Sequence, residues 1–139
     1  MKMIVFKYRK EKGAVDSAVY RPVADVEFEG KNGEWVELHP YIDSGADVTL
    51  FPLSFGRLLG FAIAEDEIKE LKGISGNTVP VIFKAIKIRI GEYEFYVRVA
   101  WCLKEDVPAL LGREGIFDQF HVQFKQDEKI IEFGKVEFR

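Results

Sequence analysis

Apolar and polar residues alternate along most of the chain with a period of two, which is typical of half-buried β-strands. The alternation is plainest where Ala24, Val26 and Phe28 are interleaved with acidic residues. The turn signal at Gly30–Gly33 follows at once and predicts a hairpin whose return strand is Trp35–Leu38.

The remaining strand predictions rest on the same alternation or on short apolar runs. They are Met3–Tyr8, Val48–Phe51, Val79–Ile90, Tyr93–Trp101, Val107–Leu111, and two strands within Val122–Phe138 that break at Lys125–Glu128. Glu11–Asp16 is predicted to be a polar loop around Gly13. Helical spacing predicts short helices at Leu53–Leu59 and Arg113–Phe120. The pattern indicates one mainly β domain that spans residues 1–139.

Composition narrows the class of protein. The 139 residues, 47% of them apolar, suffice for one packed core. The net charge of −3 argues against nucleic acid or an anionic membrane as partner. The apolar run between Lys2 and Lys7 is too short for a signal peptide, and no segment approaches the length of a membrane span. With Cys102 as the single cysteine, we expect a soluble cytoplasmic protein without disulfides.

One triplet contains a candidate catalytic residue. Asp43–Ser44–Gly45 directly follows the apolar pair Tyr41–Ile42 and has no second copy in the chain. An aspartic protease activates water between two carboxyls that share a proton, so one triplet supplies half of such a site. Gly45 would allow the tight turn, because glycine tolerates positive φ and close backbone approach. The alternative is an ordinary Asx-type turn between two strands.

Three segments, in order along the chain, resemble the retropepsin-like aspartic proteases. Tyr41–Pro52 resembles their active-site segment, in which an apolar pair precedes Asp-Thr/Ser-Gly-Ala. Gly73–Val79 resembles the glycine-rich tip of their flap, and Ala109–Glu114 resembles their apolar pair followed by Gly and often Arg. The resemblance covers residues 24–133 and implies an all-β, retropepsin-like closed β-barrel with a flap hairpin and one short C-terminal helix.

The resemblance implies a role for each residue of the active-site loop. Asp43 would be the catalytic carboxylate, and Ser44 would make a hydroxyl contact between subunits. The backbone around Gly45 and Ala46 would meet the substrate. Asp47 would lie beside the cleft.

The downstream element would support this loop. Asp47 would form a buried ion pair with Arg113, and removal of either partner should then be costly. Leu111 and Gly112 complete the supporting segment, and Glu114 departs from the Asp or Asn that is more usual there.

The implied flap consists of five residues. They are Gly73, Ile74, Ser75, Gly76 and Asn77. Gly73 and Gly76 would let the tip bend over a bound peptide, and Asn77 suits a left-handed turn position.

Four residues are candidates for the apolar walls of substrate subsites. They are Ile74, Val79, Ile82 and Leu110. The alternative is that they belong to the core beneath an ordinary hairpin, and for Ile82 the two interpretations are equally supported.

The function implied by the resemblance is that of a homodimeric aspartic endopeptidase acting on peptides or unfolded proteins, with no cofactor. The alternatives are a catalytically silent peptide-binding or dimerisation module of the same fold, and a β-barrel protein of another kind. Retroviral dimers interleave their short termini. Here Met3–Tyr8 and Ile130–Phe138 are the segments that could form such a sheet, which the sequence leaves unassigned.

His39 and Cys102 are two further residues whose side chains could bind a metal or react. His39 lies near Asp43, but the second histidine is distant His121 and no metal-ligand spacing accompanies them, so no metal site is expected. Cys102 follows Trp101 at a predicted strand end and is expected to be a core residue rather than a reactive thiol.

Overall fold

The computed structural model describes residues 2–15, 17–73 and 75–137. Three residues named in the predictions, Asp16, Ile74 and Phe138, lie outside the described residues. Within those ranges the chain is mostly β, as the alternating pattern predicts.

The strands are numbered in chain order. They are β1 Met3–Lys7, β2 Arg9–Lys12, β3 Ala18–Arg21, β4 Val26–Glu29, β5 Trp35–Leu38, β6 Tyr41–Ile42, β7 Thr49–Phe51, β8 Lys69–Lys72, β9 Thr78–Ile90, β10 Tyr93–Cys102, β11 Leu110–Leu111, β12 Phe120–Lys125 and β13 Ile130–Lys135. The helix α1 spans Leu53–Leu58, and a 3-10 helix spans Glu65–Glu67.

The strands form three sheets among the described residues. The largest has eight strands in the order β5-β4-β9-β10-β7-β11-β6, with β8 added at β9. A second sheet has the order β1-β13-β12, and β2 pairs with β3 in a sheet of two strands. The path of the large sheet has two ends, β5 and β6, so it curls around the core without its end strands pairing.

The β9–β10 hairpin is the spine of the large sheet. The two strands are antiparallel over ten residue pairs, from Tyr93–Ile90 to Cys102–Val81. Gly91 makes the turn with φ of 60°, a conformation that glycine adopts without steric cost. The inward residues Ile86, Ile88 and Ile90 are buried, whereas the residues between them are exposed or half-buried.

Strand order brings the two predicted functional segments together. β11 pairs in parallel with β6, with Leu110 opposite Tyr41 and Leu111 opposite Ile42. Because parallel strands end at the same edge, Asp43 after β6 and Gly112 after β11 lie side by side. This placement follows from pairing between segments that are remote in sequence.

The core is largely aromatic where α1 packs on the sheet. The rings of Phe28, Phe51 and Phe55 pack edge to face with centroids 5.0–5.6 Å apart. The indole Nε1 of buried Trp101 donates to the Leu53 carbonyl at 3.1 Å. A Cβ on Gly56 would lie 2.0 Å from that nitrogen, so only glycine lets the helix approach the sheet this closely.

Two element predictions are wrong. Arg113–Phe120 forms successive turns instead of a helix, because Gly115 adopts φ of 74° within it. The helical spacing still places Ile116 and Phe120 in the core. Of the segment predicted as a polar loop, Glu11 and Lys12 instead belong to β2, which pairs with β3 from Arg9–Arg21 to Lys12–Ala18, whereas Gly13, Ala14 and Val15 lie between the two strands.

The terminal strands pair within one chain. β1 is antiparallel to β13, with Met3 opposite Gly134 and Lys7 opposite Ile130. The sheet that the sequence left unassigned is therefore present in the single chain.

In the part of the chain that the structure describes, no helix has the length and apolar character needed to cross a bilayer.

Candidate functional site

Asp43 lies on a tight turn at the end of β6. Its backbone N–H donates to the Leu111 carbonyl at 3.0 Å, which continues the pairing of β6 with β11. Its Oδ1 accepts from the Gly45 N–H at 2.9 Å, and its carbonyl accepts from the Ala46 N–H at 3.2 Å. The turn is thus an Asx turn, held at a fixed place by the neighbouring strand.

Gly45 serves this turn through close approach. A Cβ at Gly45 would lie 3.2 Å from Asp43 Oδ1, which is tighter than an ordinary contact. Of the two properties of glycine that could serve the turn, positive φ is not used, since Gly45 is absent from the positive-φ residues of the described chain.

The segment after β11 holds the loop from the other side. The N–H groups of Arg113 and Glu114 donate to the carbonyls of Ala46 and Asp47, both at 2.9 Å. A Cβ on Gly112 would lie 2.5 Å from the Val48 carbonyl, so the two backbones approach at a distance that requires glycine. Predicted supporting residues and active-site loop are therefore in direct contact, and Leu111 is fully buried beside them.

Thr49 is a supporting residue that the sequence interpretation missed. Its side chain is buried, and its Oγ1 accepts from the Gly112 N–H at 3.0 Å. This bond satisfies a buried backbone donor that would otherwise be costly. The available signal was a polar residue between Val48 and Leu50, in a strand that is otherwise apolar.

Arg113 and Asp47 form the predicted ion pair, but the pair is not buried. Arg113 Nη2 lies 2.5 Å from Asp47 Oδ1, and Nη1 donates to the Ser44 carbonyl at 2.7 Å. The side chains are 49% and 86% exposed, because both lie at the rim of an open cleft. The guanidinium therefore ties together two points of the active-site loop in the presence of water.

Asp43 lies in a cleft of about 740 Å³ between this loop and the flap. The polar lining residues are Asp43, Asp47, Lys72, Ser75, Asn77 and Arg113. The apolar lining residues are Ala46, Val48, Leu50, Leu71, Val79 and Leu110. Several residues of the apolar wall pack against a second buried cluster that includes Val81 and Cys102.

The flap is the hairpin of β8 and β9. Leu71 is opposite Val79, and Lys72 is opposite Thr78, so the described tip residues are Gly73, Ser75, Gly76 and Asn77. The Gly73 N–H donates to the Asn77 carbonyl at 2.9 Å, and Gly76 adopts φ of 87°. The left-handed residue of the turn is thus Gly76, and the prediction for Asn77 is wrong because the neighbouring glycine takes that conformation at lower cost.

The candidate subsite residues separate into two groups. Val79 and Leu110 line the cleft, as predicted. Ile82 is fully buried in the main core, so the core interpretation is confirmed for it. Along β9, Ile82 is further from the flap tip than Val79, the residue of this strand that lines the cleft.

A polar cluster beside β6 was also missed. The Tyr41 hydroxyl donates to both carboxylate oxygens of Glu11, at 2.8 and 2.9 Å. Glu11 also pairs with Arg9 at 2.7 Å and with Arg21 at 3.1 Å. The Tyr41 hydrogen bond, followed by that of Arg9, holds the pKa of Glu11 below its ordinary value. Arg9 and Glu11 share β2, but Arg21 and Tyr41 are remote from them in sequence, and the β2–β3 hairpin brings Arg21 beside Glu11.

His39 is grouped with residues other than Asp43. Its Nδ1 lies 2.8 Å from Asp25 Oδ1, and its Nε2 lies 4.0 Å from Glu37 Oε2, all three side chains being exposed. The two carboxylates face different ring nitrogens. Cys102 is fully buried, and burial raises the pKa of its thiol, so the prediction of a core residue is confirmed.

Comparison with known proteins gives structural matches. No family model and no curated protein sequence matches the chain. A retropepsin-like aspartic protease from Rickettsia conorii matches with a TM-score of 0.64 and 15% identity, over 95% of this chain and 90% of that one. The EIAV protease in complex with the inhibitor HBY-793 matches with a TM-score of 0.55 and 18% identity, over 78% and 93%. The chain therefore has the retropepsin-like fold.

Proposed function

We propose that the chain is an aspartic endopeptidase that acts as a homodimer, in which Asp43 of each subunit meets its counterpart at the two-fold axis. The observation that carries the proposal is a carboxylate with a free oxygen in a cleft beneath a flap. Within the described chain Asp43 Oδ2 makes no hydrogen bond, whereas Asp47, the other lining carboxylate, is engaged by Arg113.

The chemistry requires the second subunit. Two carboxyls about 3 Å apart hold one proton between them, because both cannot be ionised at that distance. The ionised one accepts a proton from the attacking water, and the shared proton passes to the departing amine. Since each chain has one Asp-Ser-Gly triplet, two chains are needed, and activity should be bell-shaped with pH and highest on the acidic side.

The cleft suits an extended peptide. Its apolar lining offers burial to aliphatic or aromatic side chains, while the rim carries Asp47, Arg113 and the flap residues Ser75 and Asn77. The substrate class we propose is therefore a peptide or an unfolded protein segment with apolar residues near the cleaved bond.

The proposal is tested by incubating the protein with a mixed peptide library from acidic to neutral pH. We expect the wild type to cleave peptides and Asp43→Asn to lose cleavage by at least a thousandfold, since an amide cannot take part in the proton transfer. Asp66→Asn, which removes an exposed carboxylate that does not line the cleft, is the matched control and should cleave like the wild type.

Two outcomes would contradict the proposal. Unchanged cleavage by Asp43→Asn would assign the activity to another residue or to a contaminant. Peptide binding without cleavage at any pH would favour the catalytically silent binding module.

A further inference from the structure

We propose that Tyr41 and Glu11 are positioning residues, through which the β2–β3 hairpin holds the strand that carries Asp43. The inference rests on the proposed function for its effect on catalysis, and on the geometry of the hairpin for its effect on the active-site turn. It concerns residues that do not line the cleft.

The strand in question is very short. β6 consists of Tyr41 and Ile42. Its backbone donors bond to the Ala109 and Pro22 carbonyls, each at 3.0 Å, and Val23 forms an isolated bridge with Tyr41. A two-residue strand has few ladder hydrogen bonds, so a restraint on its side chain changes how firmly the following turn is held.

That restraint acts on both the hydroxyl and the ring of the Tyr41 side chain. The hydroxyl donates to the two oxygens of Glu11, and the guanidinium of Arg9 lies over the ring at 5.7 Å from its centroid. Hydrogen bonds to an ionised carboxylate are stronger than those between neutral groups. Tyr41 is half-buried, so these contacts are partly shielded from water.

The hairpin is anchored independently of β6. β2 and β3 pair over four residues, and the N–H of Tyr8, the residue just before β2, donates to the Lys129 carbonyl at 2.9 Å. After β3 the chain continues through Pro22, whose carbonyl receives the Ile42 N–H. The hairpin and the Pro22 that follows it therefore hold β6 through two contacts. One is the backbone hydrogen bond from Ile42 to Pro22, and the other is the hydrogen bond from Tyr41 to the Glu11 carboxylate.

The charges around Glu11 set the pH range over which the Tyr41–Glu11 hydrogen bond has an ionised acceptor. Arg9 on β2, Arg21 on β3 and the Tyr41 hydroxyl on β6 face the carboxylate. They favour its ionised form and lower its pKa, so the interaction is complete above the ordinary range of a glutamate and is lost as pH falls through the lower value. The hydrogen bond from Tyr41 to the ionised Glu11 consequently persists in the mildly acidic range in which a pair of carboxyls is catalytically active.

The experiment compares Tyr41→Phe and Glu11→Gln with the wild type. Tyr41→Phe removes the hydroxyl and keeps the ring, whereas Glu11→Gln keeps the shape and removes the charge. Ser54→Ala is the control, because it deletes a similar hydrogen bond, from Ser54 Oγ to Glu105 at 2.5 Å, away from the site. The readouts are hydrogen exchange of the Asp43 and Ala46 amides, and kcat and KM for a cleaved peptide.

We expect faster exchange at both amides and a kcat lowered roughly tenfold to a hundredfold in the two variants, with KM nearly unchanged, because a small misplacement of a reacting group is costly. The difference in kcat between the wild type and Glu11→Gln should close as pH falls through the lowered pKa of Glu11, because the wild-type side chain then loses its charge as well. Ser54→Ala should match the wild type in every readout.

Exchange of the two amides is also measured in the Asp43→Asn background, where no cleavage is needed. If the wild type cleaves nothing, the proposed function fails, while faster exchange in Tyr41→Phe still supports the positioning role. Wild-type exchange and kcat in both variants would overturn the inference. If Tyr41→Phe fails to fold, Glu11→Gln decides by the same criteria.

Discussion

At the scale of single residues, small side chains and backbone contacts determine the geometry around Asp43. Gly112 permits a backbone approach that a Cβ would block, a Cβ at Gly45 would crowd Asp43 Oδ1, and Thr49 satisfies the Gly112 N–H. The sequence identified Asp43, Gly45 and Gly112 as a group through motif order. It could not reveal that Gly45 serves close approach instead of positive φ, because both uses require the same residue.

Gly112→Ala tests the close approach directly. The added Cβ would meet the Val48 backbone at 2.5 Å, and backbone cannot move aside as a flexible side chain can. We expect a loss of about 1–3 kcal/mol in the free energy of unfolding, measured by urea denaturation, together with reduced cleavage.

Gly73→Ala is the control for that substitution, because the nearest atom to its Cβ would be 3.7 Å away. It should change the free energy of unfolding far less. Equal stability of the Gly112→Ala and wild-type proteins would show that the approach is not as tight as described.

At the scale of elements, periodic apolar segments were predictable and charged ones were not. β9 and β10 alternate clearly and form the predicted hairpin. β2 is Arg9–Lys12, in which every residue is charged, so no apolar period marks it as a strand. The predicted helix after Arg113 has the right apolar spacing, but Gly115 in a left-handed conformation interrupts it.

Arg113 joins two elements, since it starts the segment after β11 and bonds to Ser44 and Asp47 of the loop after β6. In Arg113→Lys an ammonium would replace the planar fork that reaches both acceptors. Because the pair is exposed, we expect the free energy of unfolding to change by less than about 1 kcal/mol, while kcat for a cleaved peptide falls.

Arg98→Lys is the matched control, because Arg98 makes a two-point pair with Glu114 at 2.8 and 2.9 Å and does not line the cleft. Its kcat should equal that of the wild type. A large loss of stability in Arg113→Lys would contradict the description of the pair as solvent-exposed, and equal kcat values would exclude its role in holding the loop.

At the scale of the whole molecule, the order of three motifs predicted the fold correctly, although the identity to the solved structures is only 15–18%. The pairing of β1 with β13 was not predictable, because backbone hydrogen bonds are the same whether a terminal strand pairs within its chain or with a partner. The described chain holds one Asp43 in the cleft, whereas the proposed chemistry requires two such carboxyls.

The most direct test of that requirement mixes wild-type and Asp43→Asn chains under conditions that allow subunit exchange, at constant total concentration. If each active site takes one Asp43 from each of two subunits, random pairing at equal amounts leaves about one quarter of the dimers intact, and cleavage should fall to about one quarter. A fall to about one half would mean that each chain carries its own complete site, and would contradict the account.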